Sequence, residues 1–204
     1  MKVMQTNSLI PFIIKVFLWL PICYWGWFFA ANTTTIVTAY LTELVLTSSF
    51  PQLISSIEQI DYHLDIIVKV TMPSQQVPKG MVAEIAISIN PLIYNYGLPL
   101  CMALILASPA SLLKTFINLI ISVLLLLPIQ IWGICFEFMK VLFLQTPSQL
   151  TGNIILYQWQ LDTIAIGYQM GALVLPVVTP IIIWLSLYRN FIVQFVPALR
   201  QIET

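Results

Sequence analysis

Charge is what this sequence has least of. Only 8% of its 204 residues are charged, eight basic and eight acidic, so the net charge is zero. Soluble domains carry about 25% charged residues. So few charges cannot cover a water-facing surface, and most of the surface must face lipid. The missing basic excess also excludes nucleic acid as a partner, because phosphate neutralisation requires one. Histidine occurs once, at His63, and cysteine three times, at Cys23, Cys101 and Cys135, none of them in a Cys-x-x-Cys pair. That spacing supplies neither a disulfide framework nor a zinc site. No Gly-rich phosphate loop, H-E-x-x-H or G-x-S-x-G occurs, and no inverted repeat of the transporter kind is detectable. Neither a metal nor a cofactor is expected.

What is present is oil: 59% of the residues are hydrophobic. A spanning helix needs about 20 mostly apolar residues, at about 1.5 Å each against a core of about 30 Å. Four stretches read as spans: Ile10 to Ala31, Pro91 to Ala107, Leu112 to Phe136, and Ile164 to Leu187. The first exceeds the apolar core of a signal peptide, about 7–15 residues, and lacks the A-x-A cleavage pattern, so it reads as an anchor. Interfacial aromatics are expected at Trp25, Trp27, Tyr94, Tyr96, Trp159, Trp184 and Tyr188. Lys and Arg favour both termini in the cytoplasm. Lys2, Lys15, Lys114, Arg189 and Arg200 then lie inside, against Lys69, Lys79 and Lys140 outside.

Between the first two stretches the pattern changes. Ile36, Tyr40, Leu41 and Leu44 recur at helical spacing and suit an interfacial helix. Strict alternation follows. Ile60, Tyr62, Leu64, Ile66, Val68, Val70 and Met72 lie on one side, and Gln59, Asp61, His63, Asp65, Lys69 and Thr71 on the other, with Ile67 as the exception. That is strand period. A second alternating run covers Met81 to Ile89, and Pro73, Pro78 and Gly80 break the chain between them. The pattern predicts two antiparallel strands with one apolar face, which must cover something because two strands alone are marginal in water. Beyond Phe136, the residues Phe138, Val141, Leu142 and Gln145 suggest that the third helix continues into the interface, with Pro147 ending it.

The expected architecture is an α-helical polytopic membrane protein of about four transmembrane helices with a small extracytoplasmic α+β part containing an antiparallel β-hairpin. In chain order, 1–31 forms the first transmembrane helix and 32–90 the extracytoplasmic helix and hairpin. Transmembrane helices two and three occupy 91–136, an extracytoplasmic interfacial segment 137–163, and the fourth helix with its cytoplasmic tail 164–204.

Few residues could carry chemistry. A cysteine activated by histidine is a catalytic pattern, and Cys135 with His63 and Glu137 are the weak candidates. Against that, a cysteine in an apolar run is usually a small buried hydrophobe, and no catalytic residue is assigned. Asp61 and Asp65, with His63 between them and Lys69 following, could bind a divalent cation or do acid–base work; with Glu84 they form an acidic extracytoplasmic face, and a solvated strand face is the favoured reading. Gln130, Glu137 and Gln169, with Asn118 deeper, are polar residues inside apolar helices. They either line a path for protons or substrate or act as hydrogen-bonding glue between helices, and glue is favoured. Gly167 and Gly171 form a GxxxG helix-packing motif, available to the same chain or to a partner. Pro99, Pro128, Pro176 and Pro180 invite kinks.

Three stretches carry a resemblance: Asn90-Pro91-Leu92-Ile93-Tyr94-Asn95-Tyr96-Gly97-Leu98-Pro99-Leu100, then Leu127 to Gly133 through Phe136 to Lys140, and Gly167-Tyr168-Gln169-Met170-Gly171 with Leu175-Pro176. In that order they resemble the exosortase H-associated membrane proteins of Gram-negative bacteria, and the likeness covers most of the chain. Asn95 stands where the family pattern has glycine. The resemblance implies a place in the inner membrane and an accessory role in protein sorting. It implies as partner an exosortase-type membrane enzyme or its exported substrate, alongside membrane lipid. Exosortases process C-terminal sorting signals with a Cys, Arg and His set of their own, which this chain does not display. The expected function is thus a non-catalytic accessory or scaffold. A membrane-embedded cysteine hydrolase or transpeptidase and a small transporter or channel component are the alternatives.

Overall fold

A computed structural model describes residues 9–70, 83–147, 154 and 156–193. The expected strand ends at Thr71-Met72 and Met81-Val82, the intervening Pro73, Pro78 and Gly80, and the charged Lys2, Lys79, Arg200 and Glu203 lie outside the described residues.

The first helix, α1, spans Leu9–Phe29 and α2 spans Ala31–Ser49, where the helical spacing of Ile36 to Leu44 predicts it. Strands β1 (Ile54–Ile60), β2 (His63–Val70) and β3 (Ala83–Ile89) follow. Next come α3 (Leu92–Asn95) and α4 (Gly97–Ala107). Pro91 and the Asn90 side chain, which accepts the Leu92 N–H at 3.0 Å, set the start of α3. Helix α5 spans Leu112–Lys140 and passes into a π-helical turn at Val141–Gln145, so the third apolar helix does outrun Phe136. Helix α6 spans Gln158–Gln169, a second π turn covers Met170–Val174, and α7 (Leu175–Leu187) and α8 (Arg189–Ile192) close the described chain. Helix α6 begins before the expected Ile164. The Gln160 side chain accepts the Tyr157 N–H at 2.8 Å, and Gln158 donates to Asp162 at 2.9 Å.

Among the described residues three helices are long and apolar enough to cross a membrane: Ile10–Phe29, Leu112–Gln145 and Gln158–Leu187. The second expected span, Pro91 to Ala107, is a shorter apolar helix, Leu92–Ala107. At about 1.5 Å per residue it reaches about 24 Å, short of the roughly 30 Å core.

The sheet is antiparallel in the order β1-β2-β3. The expected hairpin of two strands is therefore three strands. The run from Ile60 to Val70 is not continuous, because Asp61-Tyr62 forms a two-residue turn with Asp61 at φ 55°. Reversing the chain there puts Ile60 opposite His63 and Gln59 opposite Leu64. Ile60 thus leaves the apolar face assigned to it and is 54% exposed. Gln59 turns to the inner side, where its amide donates to the carbonyls of Asn32 and Asp61 at 3.3 and 2.7 Å. A bulge between Ile54 and Ser56 breaks the alternation of β1 and hides the strand from a period-two reading.

The chain divides into two compact units. The first comprises 1–29, 96–126 and 177–204. Its core gathers Leu98, Cys101, Ile105, Leu126, Ile183 and Tyr188. Helix α1 packs on α4, with the Tyr24 hydroxyl donating to the Tyr96 carbonyl at 3.1 Å. Phe12 stacks on Trp184 at 5.3 Å, and the Trp184 indole donates to the Ser108 hydroxyl at 2.8 Å. The second unit comprises 30–95 and 127–176. There the inner faces of the three strands (Ile54, Leu64, Ile66, Val68, Ile87 and Ile89) bury against Leu46 of α2, Ile134 and Phe138 of α5, and Leu142. The apolar face that the alternation required to be covered is covered by the chain's own helices.

Candidate functional site

Within the second unit, the polar residues of α5 lie on one stripe of the helix. Gln130, Gly133, Glu137 and Lys140 recur at three- and four-residue spacing and so share a helix face. Opposite them stand Tyr94 and Asn95 of α3. The Asn95 side-chain oxygen accepts the Gln130 amide at 2.7 Å, with both residues buried. The Tyr94 hydroxyl donates to Glu137 Oε2 at 2.5 Å. Lys140 Nζ stands 3.6 Å from Glu137 Oε1 and 3.7 Å from the centroid of the Tyr168 ring. The glutamate thus has a hydroxyl and an ammonium as partners, and the ammonium has a carboxylate and an aromatic face.

Glycine makes the close approach possible. A Cβ at Gly133 would lie 2.1 Å from Tyr94 Cδ1, and one at Gly171 would lie 2.8 Å from Gly133 Cα. A Cβ at Gly167 would lie 2.1 Å from the Phe136 ring. The Trp132 indole donates to the Gly167 carbonyl at 3.2 Å. Glycine-to-glycine contact thus uses the GxxxG face inside this chain, against α5.

The weak catalytic candidates do not assemble with the glutamate. Cys135 is buried in the apolar core of the unit and makes no hydrogen bond among the described residues. The His63 ring lies against Tyr62 at 4.4 Å, and no hydrogen bond joins it to Cys135 or Glu137 among the described residues. Gln169 is exposed and stands outside the network. Asn118 is 5% exposed and belongs to the first unit. On the open face of the sheet, Asp65 stands opposite Glu58 on one side and Ser88 on the other, and Lys69 stands opposite Glu84. Glu84 Oε1 also accepts the Ser55 hydroxyl at 2.6 Å. Asp61 sits in the turn. No group of three or more His, Cys, Asp or Glu capable of holding a metal occurs among the described residues.

Tyr94, Asn95, Lys140 and Tyr168 are the members of the network that sequence reasoning missed. Tyr94 was expected at the lipid interface but is 2% exposed. The available signal was the spacing: Gln130, Gly133, Glu137 and Lys140 form a stripe too polar for lipid, so it needs polar partners on another helix.

The network draws on all three motif stretches at once: Tyr94 and Asn95 from the first, Gln130 to Lys140 from the second, and Gly167 to Gly171 from the third. The family model for exosortase H-associated membrane proteins matches residues 6–191. The chain belongs to that family. No curated protein and no solved structure matches it. In this exosortase H-associated protein, three separated motifs therefore build a single packed polar cluster.

Proposed function

We propose that this exosortase H-associated protein is a non-catalytic scaffold of an exosortase-type sorting system in the bacterial inner membrane. The single observation that carries the scaffold reading is the polar cluster. Glu137 is bonded to Tyr94 and Lys140, the amides of Gln130 and Asn95 are bonded to each other, and Lys140 lies on the Tyr168 ring, so polar contacts join three segments of chain, which is what structural glue requires. The proposed topology has four crossings with both termini cytoplasmic and the sheet outside. It is supported by the five-to-three division of Lys and Arg, which favours both termini on one side and so an even number of crossings. The mechanism is docking. Strand β3 ends the sheet, and its edge receives an extended segment of an exported partner by strand addition.

In-cell crosslinking tests this reading. A photocrosslinker at Ala86 recovers a membrane-bound processing enzyme or its exported substrate, and Ala86→Pro lowers recovery by removing a backbone donor from the edge. Recovery of neither class of protein would overturn the proposal.

A further inference from the structure

The outer face of the sheet combines an open edge with an unbalanced charge. The Lys69 N–H donates to the Leu53 carbonyl at 2.8 Å. His63, Asp65, Ile67 and Lys69 therefore bond toward β1, and the residues between them bond toward β3. Two of those, Ile66 and Val68, stand opposite Ile87 and Ile85. Ile85 and Ile87 thus direct their backbone groups to β2, which leaves the N–H and C=O groups of Glu84, Ala86 and Ser88 pointing off the sheet. All three residues are exposed, and among the described residues no turn or loop backbone bonds to them. Their side chains share the outer face with their cross-strand partners Lys69, Ile67 and Asp65. On that face Glu58, Asp65 and Glu84 stand against Lys69, and none of the four is in an ion pair among the described residues. Glu58 sits directly opposite Asp65, where like charges repel.

From these we infer, resting on the edge-docking role proposed above, that the segment received at β3 is basic. It carries Arg or Lys at two positions four residues apart, with a small or apolar residue midway. Added antiparallel to β3, its outward side chains stand opposite Glu84, Ala86 and Ser88. The first basic side chain meets Glu84 directly. Ala86 leaves room for the middle residue. The second basic side chain stands beside Ser88, two strand spacings or about 10 Å from Asp65, a span that an arginine and an aspartate cover together with one hydrogen bond. Its charge offsets the repulsion between Glu58 and Asp65. The pattern is a palindrome, so it reads the same in either strand direction. Backbone bonds at the edge supply the hold, and charge complementarity supplies the selectivity.

The test measures binding of labelled peptides to the full-length protein in phosphatidylcholine nanodiscs by fluorescence anisotropy, with empty nanodiscs as the blank. The probes are a threonine-rich peptide containing Arg-Thr-Val-Thr-Arg and its counterparts with Gln or Glu in place of Arg. The Arg peptide is expected to bind about tenfold more tightly than the Gln peptide, the combined worth of two exposed charge pairs. The Glu peptide binds more weakly than either. Glu84→Gln and Asp65→Asn each weaken the Arg peptide about threefold and leave the Gln peptide unchanged. Ala86→Pro abolishes binding of both. Equal binding of the Arg and Gln peptides, with both lost in Ala86→Pro, overturns the basic preference and leaves edge docking standing. Undiminished binding of the Arg peptide to Glu84→Gln also overturns the preference. Binding of the Arg peptide that survives Ala86→Pro overturns strand addition, and this inference with it. Failure of every peptide to bind does the same.

Discussion

Replacing Gly133 with alanine tests the packed cluster at its tightest point. The added methyl would lie 2.1, 2.6 and 2.9 Å from three atoms of the Tyr94 ring, on a helix whose Gly133 Cα already lies 2.8 Å from where a Cβ at Gly171 would sit. Tyr94 must therefore move, and its hydroxyl leaves Glu137. Overpacking costs about 1–3 kcal/mol. A lost hydrogen bond to a charged group costs about 1.5–3 kcal/mol. Alanine returns about 1 kcal/mol of helix propensity. The balance is a loss of about 1.5–5 kcal/mol, read as a lower thermal midpoint in detergent micelles. Trp132, whose indole reaches the Gly167 carbonyl, reports the same disturbance by fluorescence. Tyr94→Phe removes the hydroxyl without the clash. Because both substitutions break the same bond, their combined effect should fall short of the sum of the two. A Gly133→Ala protein as stable as the parent, or strict additivity with Tyr94→Phe, would refute the reasoning.

Three further outcomes follow from the same geometry. Gln130→Leu strands the buried Asn95 amide and should cost about 1–3 kcal/mol of stability; an unchanged midpoint would show that Asn95 finds another partner. Trp132→Phe should cost about 1 kcal/mol through the lost bond to Gly167, with the stacking on Phe136 retained, as measured by thermal unfolding. Asp61 holds a positive φ in the β1–β2 turn, so Asp61→Val should destabilise by about 1–2 kcal/mol while Asp61→Gly stays within about 1 kcal/mol of the parent. Equal midpoints for these two variants would mean that the turn does not require that conformation.

The parts of the fold visible in the sequence are those written in a single period. The apolar runs of α1, α5 and α7 and the alternation of β2 and β3 each keep one period, with Ile67 as the exception in β2. Strand β1 was illegible because its bulge at Ser55 shifts the phase in mid-strand. Its Ile54, Ile57 and Ile60 then fall at a spacing of three that suits no strand. The two-residue turn at Asp61-Tyr62 preserves the alternation while reversing the chain, so a single strand and a hairpin look alike there. For the site, Gln130 and Glu137 stood out because polar groups are rare in oil. Their partners did not: Tyr94 looks like an interfacial aromatic and Tyr168 like a spacer in the GxxxG motif until packing buries the first and places Lys140 on the second. The GxxxG motif named its packing residues but not the surface they meet. Gly133 carries half of that contact, and it sits alone in α5 without a spacing signature.

The scaffold claim is tested most directly in cells, by following proteolytic processing of exported sorting signals in two variants. Cys135→Ala combined with His63→Ala should leave processing intact, because neither side chain is assigned a chemical role. Ala86→Pro should abolish processing, because it removes a donor from the edge proposed to receive the partner. Lost processing in the Cys135–His63 variant at normal protein levels, with full processing in Ala86→Pro, would contradict the account.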